Sequence, residues 1–432
     1  MHLGQRRRDF GVLIRINKPR LLQLKRDDGA EDTMPGALNG IRVLDFSMGV
    51  AGPHAGLLCA QHGADVIKIE GIEGDWGRLL GRQYGDLNAY SAIYNRGKRS
   101  LSIDLKDPEA RRIVASMAES ADIIIEAFRP GVMQRFGLDY ETLCGRNPGL
   151  IYVSVTGFGQ TGPMSQMPAT DGVMQAFSGF MYLNQDKRGE PQRVNMILID
   201  AVTGLYAFQA ITTSLLERMG GSRTGKHIDC SLMKSAISFQ ACKIVENLFE
   251  GGAQAMYVPL GAFHTKDGCV AISVMHDHHF VSLCQALGKE DWGSNPLYDT
   301  RIKRIERETV VVEMVRTAFR QFTTAELSER LTEAGVLHSL VQKYPEMLQH
   351  PQVRHTEAVT WVQQDGIGQP LPFPSIPGVP QNDLPASIQA PHIGQHSAEI
   401  LQEWGADRPT IDGMINRGVV RIWDHNTSGK EA

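Results

Sequence analysis

The chain reads as an α/β protein built on a mostly parallel sheet with helices on both faces. From Gly40 onward short β-rich runs alternate with helical patterns, the signature of β-α-β winding. Two of the β-rich runs, ADIIIEAF (121–128) and LIYVSVT (150–156), are almost continuously apolar, as strands buried on both faces require. A length of 432 residues, 42% of them apolar and 21% charged, leaves room for two or three domains of ordinary soluble composition.

The elements follow in order. IRVLDF (41–46) is expected to be a strand, leading into a helix that ends near Gly63, with DVIKIE (65–70) as the next strand. Asp107 and Pro108 open the helical run EARRIVASMAES, an acid at the N-cap and proline in the first turn. After Asp171 the pattern turns helical, with Val173, Met174, Phe177, Phe180 and Met181 on one face, and helices are expected again at about 200–219 and 231–249. Residues 263–274 read as a hairpin with a glycine turn, followed by helices over 308–334. The stretch 351–395, rich in proline and glycine, reads as an irregular crossing segment before helices at 396–404 and 409–417.

Composition excludes several classes of function. A formal net charge of −4 gives no global attraction for nucleic acid or acidic membrane, so a polyanionic ligand must be held locally. No apolar run approaches the roughly 18 residues that would span a bilayer. The six cysteines form no C-x-x-C pair and read as reduced residues of a cytoplasmic protein. Residues 1–34, with Arg6, Arg7 and Arg8 near their start, read as a disordered or non-native extension, a transit peptide being the alternative.

The chemistry concentrates around TGFGQTGP (156–163) and Asp171, eight residues beyond it. The stretch 157–162 fits G-x-G-x-x-G, but Pro163 and a polar loop follow where a dinucleotide site needs a helix, so no nicotinamide or flavin is expected. Asp171 is placed as the N-cap of the next helix, which is compatible with a carboxylate nucleophile kept ionised by the helix end. Arg96, Lys98, Arg99, Lys106, Arg129 and Arg135 are either a solvated charged face or partners for phosphates. His276, His278 and His279 are too few to specify a metal, and no G-x-S-x-G elbow is present.

The stretches LNGIRVLDFS, AGPHAGLL, HGADVIKIE, GKRSLSIDLKDPEA, FRPGVMQRFGLDYETL, NPGLIYVSVTGFGQTGP, TGKHIDCSL, AFHTKDGCVAI and IGQHSAEIL occur in that order along the chain. Together they resemble the family III coenzyme A transferases, which include α-methylacyl-CoA racemases. The resemblance implies a Rossmann-like large domain built from both chain ends (35–227 and the return over 341–425), a smaller α+β domain over 228–340, and an interlocked ring-like homodimer. It places the catalytic aspartate on Asp171. CoA contacts fall on Ile103 and Lys106 near the adenine, on Phe128 and Arg135 near the nucleotide and phosphates, with Arg129 as their neighbour. Coenzyme A is then a co-substrate, carried between an acyl-CoA donor and a carboxylic acid, and no metal is required.

Val50 stands where formyl-CoA transferases hold glutamine, Ala127 stands where the CoA motif has asparagine, and the glycine-rich lid is shortened to VPLGAFHTKDG. These departures point away from formyl and oxalate. DAVTGLYAFQAI and IDCSL look closer to the branch that uses succinyl-CoA and dicarboxylates, so the expected donor is succinyl-CoA and the expected acceptor a dicarboxylate or hydroxy acid. A racemase would pair the aspartate with an upstream histidine, and none occurs between Gly63 and Lys226. A noncatalytic CoA-binding protein is the remaining alternative.

Overall fold

The computed structural model describes residues 36–379 and 388–424, apart from positions 187, 223, 253 and 254; the expected extension over 1–34 lies outside the described residues. Six parallel strands, β1 (Arg42–Asp45), β2 (Asp65–Glu70), β3 (Arg99–Ile103), β4 (Ile123–Glu126), β5 (Ile151–Thr156) and β6 (Lys226–Ser231), share one sheet with β7 (Val420–Arg421), antiparallel at one edge. The order is β7-β3-β2-β1-β4-β5-β6, so the parallel part runs 3-2-1-4-5-6, as in doubly wound nucleotide-binding sheets.

Successive strand residues face opposite sides, and the sheet therefore has two apolar faces. Val43, Val66, Ile123, Ile151 and Val153 pack with α1 (Ala51–Gln61) and the 22-residue α4 (Leu198–Met219). Leu44, Ile67, Leu101, Ile124 and Tyr152 pack with α2 (Pro108–Ser120) and the carboxyl-terminal helices Ser397–Glu403 and Arg408–Asn416. The α2 cap forms as its sequence dictates: Asp107 accepts from the amides of Glu109 and Ala110 at 2.8 and 3.1 Å.

Three elements differ from the sequence-based expectation. The edge strand β6 is absent from the strands read from the sequence; Lys226 and His227 are exposed, so it lacks an apolar run. Its entry requires Gly225, since a Cβ there would lie 1.8 Å from the Leu150 carbonyl oxygen. The helix beginning at Asp171, α3 (Asp171–Phe177), stops at Gly179 (φ 82°) and restarts as Phe180–Leu183. Of its expected apolar face only Met174 is fully buried, while Val173 and Phe177 are exposed. The expected helix over 231–249 is two helices, Leu232–Phe239 and Ala241–Glu250.

A second apolar cluster belongs to the middle of the chain. The expected hairpin forms between Leu260–His264 and Cys269–Ser273, with His338–Leu340 as a third strand. Phe263, Val270 and Ile272 pack there against Phe280, Val315, Phe319 and Leu327. The crossing segment contains a small hairpin, Val359–Val362 with Leu371–Pro374.

Buried charge sets the carboxyl ends of β1 and β2. Asp45 and Lys98, both 0% exposed, pair at 2.7 Å, and Lys98 also donates to the Pro53 carbonyl and the Asn95 side chain. Burial alone would raise the Asp45 carboxyl, but the ammonium groups of Lys98 and Lys68 hold it below its ordinary value. Lys68 pairs with Asp75 at 3.0 Å and donates to the Ser47 carbonyl; Arg78 pairs with Glu70 at 2.8 Å. Lys98→Met leaves the Asp45 carboxylate buried without its partner and is expected to cost about 3–5 kcal/mol in urea unfolding. Adding Asp45→Asn should recover most of that loss, because the penalty lies in the stranded charge.

Candidate active site

Chains leaving β1 and β4 turn to opposite faces of the sheet, into α1 and into the short helix Val132–Phe136. Between two such strands the carboxyl ends leave a crevice, the usual ligand position in an open α/β sheet. A cavity of about 320 Å³ occupies it, walled by Met48, Val50 and Ala51 after β1, by Phe128 and Arg129 after β4, and by Trp76, Thr170 and Asp200.

Asp171 stands between two wall residues of this cavity, Thr170 before it in sequence and Asp200 beside it in space. Thr170 is the N-cap and Asp171 the first residue of α3, one position further in than expected. The Asp171 side chain caps another helix instead. Oδ2 accepts from the amides of Ile199 and Asp200 at 2.6 and 3.2 Å, in the first turn of α4. Those amides lack intrahelical partners, and the helix end favours negative charge. Oδ1 accepts from Gln175 Nε2 at 2.6 Å, one turn along α3. The Gln175 amide is itself held, its Oε1 accepting from Val194 N at 2.9 Å. A carboxylate that is only 8% exposed thus has three donors, which compensates its removal from water.

A second carboxyl, that of Asp200, stands on the cavity wall itself, which Asp171 does not line. Burial, and then the charge of Asp171, push Asp200 up to about 7. Burial and the same two carboxylates push the Tyr94 phenol up to about 12. His54, bonded through Nδ1 to the Ala201 carbonyl at 3.0 Å, is held below its ordinary value by burial.

Of the residues singled out in the sequence, Val50, Phe128 and Arg129 line the cavity. Ile103 is 2% exposed, within the apolar core under β7, while Lys106 and Arg135 are exposed on the surface. The basic group divides. Lys98 is in the buried pair, Arg99 binds Asp65 and Glu403 at 2.9 and 2.7 Å, and Arg96 donates to the Pro374 carbonyl, so these three are structural. The glycine turn also has a packing reason: a Cβ on Gly157 would lie 2.3 Å from that of Ala169, in the segment that delivers Asp171. The rings of His276, His278 and His279 cluster with centroids 4.3–5.5 Å apart, His276 stacked on His278 and His279 edge-on to His278. Among the described residues no group of three or more His, Cys, Asp or Glu is arranged to hold a metal, and no helix is long and apolar enough to cross a membrane.

Sequence reasoning missed Gln175 and Asp200. The i, i+4 spacing of Asp171 and Gln175 was the available signal for the first; nothing local marks Asp200.

The sequence profile described as CoA-transferase family III matches residues 38–397. The succinyl-CoA:glutarate CoA-transferase of Homo sapiens is 30% identical over 396 residues, which cover 89% of this chain and 90% of that protein. The acetyl-CoA:oxalate CoA-transferase of Acetobacter aceti is 34% identical over 312 residues, 70% of this chain and 79% of that one. A crystal structure of a CAIB/BAIF family protein from Brucella suis superimposes with a TM-score of 0.76 at 28% identity, over 86% of this chain and all of that one. With this sheet order, this crevice and a match across most of its length, the chain belongs to CoA-transferase family III.

Proposed function

We propose that this protein moves coenzyme A from succinyl-CoA to a dicarboxylic acid such as glutarate, with Asp171 as the nucleophile. The observation that carries this reading is the asymmetry of the Asp171 carboxylate. Two amides occupy Oδ2, whereas Oδ1 has the single Gln175 donor and keeps a lone pair for attack.

Attack of Oδ1 on the thioester carbonyl forms a mixed anhydride and expels CoA thiolate. The thiolate then attacks the Asp171 carbonyl, releasing succinate and leaving an aspartyl-CoA thioester. An incoming carboxylate reverses these steps. Each intermediate keeps the acyl activation in a covalent bond, and the low exposure of Asp171 keeps water from that bond.

In this reading Val50 and Phe128 flank the pantetheine arm, while Arg129, Lys106 and Arg135 serve the phosphates. The Ile103 side chain is enclosed, so an adenine contact there is left to its backbone. The acceptor assignment follows DAVTGLYAFQAI and IDCSL, and the human relative's name supports glutarate. Oxalate, in the name of the Acetobacter aceti relative, is the competing acceptor.

The proposal includes an interlocked cytoplasmic homodimer with a large domain made from both chain ends. Val245, Leu248 and Phe249 lie on one face of the helix Ala241–Glu250 and are 56%, 75% and 84% exposed, an apolar stripe suited to a second copy. Sedimentation should then give twice the 47.7 kDa chain mass.

Incubation with succinyl-CoA and no acceptor should place CoA or an acyl group on Asp171, trapped by hydroxylamine and located by mass spectrometry. Asp171→Asn should lower transfer by at least ~10³-fold with CoA binding kept; label on a cysteine, or unchanged turnover, overturns the assignment. Gln175→Ala frees the Oδ1 end of the nucleophile and should reduce kcat by about 10–100-fold, with little change in KM for succinyl-CoA.

A further inference from the structure

We propose that Asp200 is the group that receives the reacting carboxylate: its protonated carboxyl donates a hydrogen bond to the acid that attacks, or leaves, beside Asp171. This rests on Asp171 being the nucleophile and adds a specificity-determining residue to that site.

Position comes first. Asp200 contributes to the cavity wall, and its own amide donates to Asp171 Oδ2 at 3.2 Å, which fixes the two residues next to one another. No hydrogen bond or ion pair within the described residues engages the Asp200 carboxyl. Its surroundings are short of positive charge. Asp171 at the start of α3 is the charge that acts on it, and the Tyr94 phenol on the helix Ala89–Tyr94 lies within reach of both carboxyls. His54 on α1 bonds the carbonyl of the next residue, Ala201, and is the group that Lys98 and Arg96 reach. The cation on the cavity wall is Arg129, exposed on the opposite side after β4.

Charge then decides the protonation state. The acceptor carboxylate enters while Asp171 is an aspartyl-CoA thioester and carries no charge, so the carboxyl it meets on the cavity wall is that of Asp200. An ionised Asp200 would repel it strongly, because charges interact more strongly when removed from water. A proton retained on Asp200 removes that anion and supplies a donor to the acceptor, the solution used wherever two carboxyls share a site. Burial, the larger cause of the upward shift of Asp200, does not depend on the charge of Asp171 and favours such retention in the thioester state.

The step balances without an added proton. The acceptor oxygen attacks the aspartyl-CoA carbonyl, a C–O bond forms, and the C–S bond breaks with its electron pair leaving on CoA thiolate. The thiolate attacks the acceptor's acyl carbon, a C–S bond forms, and the C–O bond to Asp171 breaks to restore its carboxylate. Asp200 keeps its proton throughout. By reversibility the same hydrogen bond holds the departing succinate. Ionisation of Asp200 above about pH 7 converts that contact into repulsion, so carboxylate use falls on the alkaline side.

The test measures kcat/KM for glutarate with succinyl-CoA from pH 6 to 8.5, alongside mass spectrometry of the Asp171 adduct formed without glutarate at pH 6.5. Wild-type kcat/KM should fall by about tenfold per pH unit above pH 7. Asp200→Asn keeps a donor and cannot ionise; it should give a flat profile, at pH 6.5 within tenfold below wild type. Asp200→Ala lacks the donor and should raise the glutarate KM about tenfold or more, again without the alkaline fall. A wild-type profile flat to pH 8.5 overturns the proposal without any variant. An alkaline fall that survives in Asp200→Asn, with the adduct present, overturns it while leaving Asp171 as nucleophile. Absence of the adduct in wild type overturns both.

Discussion

Buried charge at the carboxyl ends of the central strands is the constraint on which the shape of the site rests. The turn between β1 and α1 has backbone groups that no strand or helix can satisfy. Lys68 donates to the Ser47 carbonyl, Asp75 accepts from the Gly49 amide at 2.9 Å, and Asp45 accepts from the Ser47 amide at 3.0 Å. Asp75 in turn accepts from Gly77 at 2.7 Å, which fixes the segment carrying Trp76. Val50 and Trp76 reach the cavity wall because of these bonds. Apolar residues of similar volume often match or exceed buried pairs in stability, but they cannot hydrogen-bond a bent backbone. Here the charges define the turn.

The same network explains what the sequence concealed. Lys98 and Arg99 sit in a lysine- and arginine-rich stretch that reads as a phosphate site or a solvated face, because a linear pattern does not reveal Asp45 or Asp65 as their partners. Strands β4 and β5 were legible because burial on both faces leaves a nearly continuous apolar run, and β1 and β2 because short β-rich runs flank a helical pattern. Edge strand β6 was not, since its open side admits Lys226 and His227. Helix α2 was legible through its cap at Asp107, a purely local interaction. The break at Gly179 was passed over because helical periodicity alone does not distinguish one long amphipathic helix from two short ones.

Asp171 itself shows where local and non-local signals part. Its residue type and its place at a helix start are in the sequence, as is Gln175 one turn later. The amides of Ile199 and Asp200 lie 28 and 29 residues downstream and meet it because α4 packs alongside α1 on the same face of the sheet. An N-cap aspartate would spend its oxygens on its own helix. Moving the residue one position inward leaves them for a second helix and a glutamine.

On the proposed route those two amides change role without moving. While Asp171 is a carboxylate they hold its charge on Oδ2, where the first turn of a long helix supplies an unbalanced positive end. Once Oδ1 is acylated that charge is gone, and Oδ2 becomes the carbonyl oxygen of the anhydride, still facing the same two donors. Thiolate attack on this carbonyl builds negative charge on Oδ2 again, so the amides then act as an oxyanion hole aligned before the reaction starts. Serine would place no carbonyl of its own in that position. The carboxylate is therefore the residue type that lets one pair of backbone donors serve both the resting nucleophile and the enzyme-bound carbonyl under attack.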